Sequence, residues 1–203
     1  FVDLGAGDCV KALRLLPLLR PARYVAVDIS IDWLRDALDA MQRRHPALDL
    51  TGIGADFSTS LDLPADATAG RPVFFYPGSS IGNFTPPEAL AFLRRVHARA
   101  GGGGLLIGVD LVKPVGVLER AYDDELGVTA AFNLNALRHV NRVIGSDFRP
   151  AEWRHIAFYD AALARIEMHL EARAPLVVRW PGGMRAFRAG ERIHTEISCK
   201  YTL

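Results

Sequence analysis

Only two of the 203 residues are cysteine, Cys9 and Cys199, so no disulfide framework can hold the chain together. Charge of one sign is equally scarce: 24 Lys and Arg stand against 23 Asp and Glu, for a net charge of +1. That balance leaves no electrostatic footprint for duplex nucleic acid or for an anionic membrane. No window approaches the ~18 uninterrupted apolar residues of a membrane-spanning helix. The six histidines, at positions 45, 97, 139, 155, 169 and 194, show no metal-ligand spacing, and no metal is expected. What remains is a chain that is 50% hydrophobic and long enough to bury a core, which argues against disorder. The expectation is a soluble, cytoplasmic monomer with neither nucleic acid nor membrane as a partner.

The first half alternates short apolar runs with helical patterns. Phe1–Leu4, Tyr24–Val27, Leu48–Ile53, Pro72–Tyr76 and Leu105–Val109 read as strands. Between them, Val10, Leu13, Leu16 and Leu19 make one helical face, and Ile31, Leu34, Leu38 and Met41 another, with Ser30 placed to cap it. A third helix opens at Pro86-Pro87, carries Leu90, Leu93 and Val96, and stops at the Gly101–Gly104 run. This alternation predicts an α/β fold: a mostly parallel, Rossmann-like sheet with helices on both faces. In the second half, Val117–Ile144 reads as mostly helical, interrupted at Gly127 and Asn133/Asn135. Strands are then expected at Ile166–Leu170, Leu176–Trp180 and Ile193–Tyr201, either on the edge of the same sheet or as a small α+β lid. The expected division is a cofactor-binding core over 1–110 and a substrate-binding insertion with closing strands over 111–203. Phe1 reads as a strand already under way, so an N-terminal part of a longer parent chain is expected before it.

Chemistry-bearing residues fall at the ends of these strands. Gly5-Ala6-Gly7 follows the first strand, where glycine lets the backbone approach a ligand. The turn departs from the dinucleotide fingerprint, because the third glycine would fall at position 10, which holds Val10. Asp28 ends the second strand, where a carboxylate can accept from both hydroxyls of a ribose. Asp56 follows the third strand, placed to take an adenine amine with Phe57 packing the ring. Lys11 offers a cation for one carboxylate near a helix start. Ribose and adenine recognition without a pyrophosphate glycine fits S-adenosylmethionine better than NAD. An NAD-dependent oxidoreductase is the alternative from another class.

Taken with these stations, further stretches carry a resemblance: Tyr76-Pro-Gly-Ser-Ser-Ile-Gly-Asn-Phe84, Ala121-Tyr-Asp-Asp124, Gly127–Asn135, Glu167-Met-His-Leu170 and Thr195-Glu-Ile-Ser-Cys-Lys-Tyr201. The sequence resembles the S-adenosylmethionine-dependent, histidine-specific N-methyltransferases that make the betaine hercynine for ergothioneine. The resemblance implies a class I methyltransferase sheet with a second, substrate-binding domain. It implies that Gly5, Lys11, Asp28, Asp56 and Phe57 hold S-adenosylmethionine. Asn83 and Tyr122 would bind and orient the amino acid, Glu196 and Ser198 would read an imidazole, and Met168 would line the pocket. The implied reaction is trimethylation of the α-amino group of L-histidine. The alternative within this chemistry is another amino acid or amine as acceptor. No residue is assigned as a general base, because an α-amino group that titrates near ~8 can lose its proton to solvent.

Overall fold

Runs of β-branched and aromatic residues buried on both sides form parallel strands only when helices cover both faces. The computed structural model, which describes residues 1–203, contains five parallel strands, of which the central three are the buried ones. They are β1 (Val2–Leu4), β2 (Arg23–Asp28), β3 (Asp49–Gly54), β4 (Val73–Tyr76) and β5 (Gly104–Ile107). Every pairing is parallel, and the order is β3-β2-β1-β4-β5. The winding direction reverses between β1 and β4, which opens a crevice at their carboxyl ends. The helices are α1 (Val10–Leu13), α2 (Leu16–Leu19), α3 (Ile31–Arg44) and α4 (Pro86–Ala100). One face of the sheet, with Tyr24, Ala26 and Phe75, packs Ala12, Leu16, Leu34 and Met41 from the first three. The other face meets α4, where Tyr76 and Phe92 lie 4.8 Å apart. A reciprocal cap starts α4: the Glu88 N–H donates to the Thr85 side chain, and the Thr85 N–H donates back to Glu88 Oε2 at 2.8 Å.

The chain divides into two compact units, Phe1–Val109 and Asp110–Leu203. The second contains helices α5 (Val115–Tyr122) and α6 (Val128–Ile144) and strands β6 (Trp153–Asp160), β7 (Arg165–Ala172), β8 (Leu176–Trp180), β9 (Gly183–Phe187) and β10 (Arg192–Cys199). Its core gathers Trp153, Leu170, Val178 and Phe187 beneath Leu137 of α6. No helix is long and apolar enough to cross a membrane.

Three expectations need correction. The later strands do not extend the parallel sheet; they form an antiparallel sheet, β10-β7-β6, and a separate hairpin, β8-β9. The single helix over Val10–Leu19 is two one-turn helices, because Pro17 has no N–H to return to the preceding turn. The helical stretch over 117–144 is interrupted at Gly127 (φ 70°) as expected but not at Asn133 or Asn135, which lie within α6, and Asp124 caps the restart by accepting from the Val128 and Thr129 N–H groups. Those bonds, the one from Thr129 foremost, hold the Asp124 carboxyl down at about 2.

Phe92 is fully buried and touches the rings of Tyr76, Phe57 and Phe84. Phe92→Ala should lower unfolding stability by about 3–5 kcal/mol, read as a shift in denaturant midpoint at constant slope.

Candidate functional site

In the first unit, the turn after β1 is folded onto the end of β2 by Gly5 and Ala6 N–H groups donating to the Val27 carbonyl at 2.9 and 3.2 Å. Asp28 stands beside it. Its Oδ2 accepts from Gly7 N–H at 3.0 Å and its Oδ1 from Ser30 N–H at 2.9 Å. An ionised carboxylate has about four acceptor positions, so both oxygens keep capacity for a diol. Gly5 adopts φ 70°, and a Cβ there would stand 3.5 Å from Phe57 Cζ. Bare backbone therefore faces an aromatic edge, and Tyr76 fixes the Phe57 ring in a T-shaped contact at 5.6 Å. Asp56 is exposed, and the Ser58 hydroxyl and N–H both donate to its Oδ1, which holds the carboxyl below the usual range.

Lys11 reaches its place by a different route from the one expected. A helix as short as α1, entered through Cys9 at φ 58°, has little macrodipole to offer. Instead the Lys11 ammonium lies over the β4 loop, 2.8 Å from where a Cβ on Gly78 would sit. Gly78 holds φ 79°, so a side chain there would both strain the backbone and displace the cation. Asn83 closes the short turn Ser80–Asn83 with its amide exposed and bonded to no protein group.

Asp3 has no assigned role in the sequence reading, yet it is the most perturbed acid of this unit. It is buried under the glycine turn, with Tyr24 donating to Oδ2 at 2.7 Å and Oδ1 taking no donor. Burial pushes its carboxyl up to about 6, against the pull of the Tyr24 bond and the Lys11 charge. A cation over the loop and an orphaned buried acceptor beneath it fit a ligand that carries both carboxylate and ammonium, as S-adenosylmethionine does.

In the second unit a β-bulge decides which side chains share a face. The β10–β7 register runs His194↔His169, then slips so that Glu196 pairs with Met168 and Ser198 with Ile166. Thr195 is the extra residue, and its hydroxyl donates to the Met168 carbonyl at 3.0 Å. An unbroken strand would put His194, Glu196 and Ser198 on one side; the bulge turns His194 away. Glu196 and Ser198 thus share a face with Met168 and Ile166, which pack with Leu118 and Tyr122 of α5. Met168 is a core residue here, 2% exposed. Burial pushes the Glu196 carboxyl above its ordinary range, with the Lys200 charge opposing.

Tyr122 and Ser198 join through a hydrogen bond of 2.7 Å, and Lys200 donates to both. Lys200 also pairs with Asp110 at 3.2 Å. Burial raises the Asp110 carboxyl, but bonds from Lys113 and Lys200 outweigh it and leave it below the usual value. Behind Tyr122, His155 Nε2–H donates to its carbonyl at 2.8 Å, while His155 Nδ1 accepts from the buried Asn133 at 2.9 Å. Asn133 therefore anchors the end of α5 and does not interrupt α6. The signal for it was a polar residue at a buried helical position. Lys200 had no such signal, since a lysine at a strand end reads as solvated.

On the opposite face, Glu167, His169 and His194 place potential ligand atoms within 4.8 Å of one another. Their sequence spacing hides this grouping, because β10 supplies one member from across the sheet. Arg165 Nε donates to Glu167 Oε1 at 2.9 Å and His169 Nε2 lies 3.0 Å from Oε2, so protein groups already engage both carboxylate oxygens.

The family model of the SAM-dependent histidine-specific methyltransferases matches residues 1–203. The histidine N-alpha-methyltransferase of Mycolicibacterium smegmatis is 38% identical over 98% of this chain and 64% of that protein. The ergothioneine biosynthesis protein 1 of Neurospora crassa is 30% identical over 99% of this chain and 24% of that protein. The N-methyltransferase imqF of Aspergillus flavus is 26% identical over 98% of this chain and 58% of that protein. The chain spans less than two thirds of the length of each of these relatives.

Because the folded-state pKa of Asp3 is raised, the native state binds an extra proton between about pH 4 and about pH 6, and the burial penalty is felt above that window. Asp3→Asn should therefore be more stable than wild type near neutral pH, by up to about 3 kcal/mol at about 1.4 kcal/mol per pK unit. The difference should close as the pH falls through the window. Urea unfolding at neutral and acid pH reads this directly.

Proposed function

We infer, from the premise that the chain belongs to the SAM-dependent histidine-specific methyltransferase family, that it belongs to an enzyme trimethylating the α-amino group of L-histidine. The product is hercynine, the betaine of ergothioneine biosynthesis. The observation that carries this reading is the Glu196–Ser198 pair, a carboxylate and a hydroxyl on one face of β10 from which the Thr195 bulge removes His194. A carboxylate can accept from one imidazole nitrogen while a hydroxyl serves the other. The likeness to the Neurospora crassa relative supports the pathway.

Residues 1–110 act in this reading as the cofactor core and 111–203 as the acceptor-binding part. Asp28 takes the ribose hydroxyls, Asp56 the adenine amine, and Phe57 with Gly5 the slot for the ring. Lys11 takes the carboxylate and Asp3 the ammonium of the methionine moiety. When bound, S-adenosylmethionine supplies an electrophilic methyl group on its sulfonium. An in-line displacement depends on alignment more than on acid chemistry, so positioning is the main task of the protein. The free Asn83 amide donates to the histidine carboxylate, and Tyr122 orients the amino acid from α5. The nucleophile is the neutral α-amine, which forms by loss of a proton to solvent near ~8. The protein is read as a cytoplasmic monomer; both of its cysteines are buried thiols outside any disulfide, which suits a reducing compartment.

A second reading, another amine as acceptor, draws on the likeness to N-methyltransferase imqF. The intact protein incubated with S-adenosylmethionine and L-histidine should yield the trimethylated product by mass spectrometry; no mass gain rejects the first reading. Glu196→Ala should cut kcat/KM for histidine by about 10–100-fold, the worth of a hydrogen bond to a charged group. Equal losses for histidine and for an amine without the imidazole would favour the second reading. Asp28→Ala should weaken S-adenosylhomocysteine binding by a similar factor in calorimetry.

A further inference from the structure

The side chain of Lys200 is fully removed from water, and all three of its N–H groups are committed. They go to Ser198 Oγ at 2.7 Å, to Tyr122 Oη at 2.8 Å and to Asp110 Oδ2 at 3.2 Å. The Tyr122 hydroxyl in turn donates to Ser198 Oγ at 2.7 Å. It is the donor of that pair because a phenol is more acidic than an aliphatic alcohol. A serine hydroxyl has two lone pairs and one proton. Lys200 and Tyr122 fill both lone pairs of Ser198, so only its proton remains to meet a ligand. Glu196, two residues earlier on the same face, has no proton to give when ionised and can only accept.

We propose that Lys200 is a positioning residue that determines specificity: by filling the acceptor sites of Ser198 it makes that hydroxyl a donor, and the Glu196–Ser198 pair then selects neutral imidazole over imidazolium. The inference rests on the histidine reading given above. Neutral imidazole carries one N–H for Glu196 and one lone pair for the Ser198 proton. Imidazolium carries two N–H groups, and the second would point its proton at that of Ser198. The charged and titratable groups around the hydroxyl are Glu196 and Lys200 from β10 and its end, Tyr122 from α5, and Asp110 with its partner Lys113. Lys200 never touches the ring; it acts through Ser198.

The test is calorimetric titration of the intact protein, saturated with S-adenosylhomocysteine, with L-histidine and with 2-fluoro-L-histidine. Fluorine keeps the ring of the analogue neutral, and a scan from about pH 5.5 to about pH 7.5 brackets the histidine ring pKa of about 6.5. The ratio of the two affinities cancels the titration of Glu196, which both ligands share. Relative to the analogue, histidine affinity should fall by about tenfold per pH unit below the ring pKa, as linkage of one proton requires. A ratio that is flat, or that rises toward acid, overturns the proposal even if no variant folds. In Lys200→Met the acid fall should disappear and histidine affinity at neutral pH should drop by about tenfold or more, with S-adenosylhomocysteine binding retained. An acid fall that survives in this variant also overturns it. Wild-type protein that binds neither amino acid rejects the histidine reading itself, and the inference falls with it.

Discussion

A lysine ammonium sealed from water is tolerable only where three acceptors surround it, and that requirement organises the second unit. Burying an unpaired charge costs several kcal/mol, about 3–5 when one partner of a buried pair is removed. Lys200 meets the requirement by drawing Asp110, Tyr122 and Ser198 to one point. These residues come from the segment after β5, from the end of α5 and from β10, so a single side chain ties three separate stretches together. The 4.6 Å approach of the ammonium to the Tyr122 ring adds a cation–π contribution to the same node. His155 and Asn133 hold the Tyr122 carbonyl from behind. Within the network the Tyr122 proton is given to Ser198, and the Ser198 proton stays uncommitted.

The first unit solves the opposite problem. The groups proposed to hold its ligand are mostly backbone and small loops at the carboxyl ends of parallel strands. The turn after β1 folds onto β2, and Asp28 takes the Gly7 N–H, so the Asp28 carboxylate and the glycine turn position each other. The buried Asp3 beneath them keeps one oxygen unpaired.

Much of the first unit was legible because buried parallel strands are continuous apolar runs and their ends are where acids and glycines collect. Asp28, Asp56 and Gly5 could be placed by that logic alone. The Glu196–Ser198 pair was legible as an i, i+2 spacing on a strand. The bulge before it was not, because Thr195 is an ordinary strand residue and its slip exists only against β7. β9 escaped because four of its five residues face solvent and give no apolar alternation. β6 escaped because a polar residue, His155, occupies one of its buried positions. Lys200 escaped for a deeper reason: burial of a charge is decided by long-range partners, here Tyr122 and Asp110, that no local pattern announces.

In the proposed reading the two sites differ in what they must reject, and their materials differ accordingly. Adenosine and a methionine tail can be held by backbone approach, one cation and a few carboxylates. An acceptor amino acid has to be told from others of similar size, and binding of apolar bulk discriminates by only about 1–3 kcal/mol. A pocket that would leave its own donor and acceptor unpaired discriminates far more strongly. That demands groups whose hydrogen-bond roles cannot swap. Glu196 when ionised is such a group by chemistry, and Ser198 becomes one only because Lys200 and Tyr122 occupy its lone pairs. Rigidity follows from the same arrangement: a hydroxyl with three directions assigned cannot rotate to suit a wrong ligand. On the role proposed for Lys200, the cost of burying an ammonium is converted into selectivity at a serine it holds from behind.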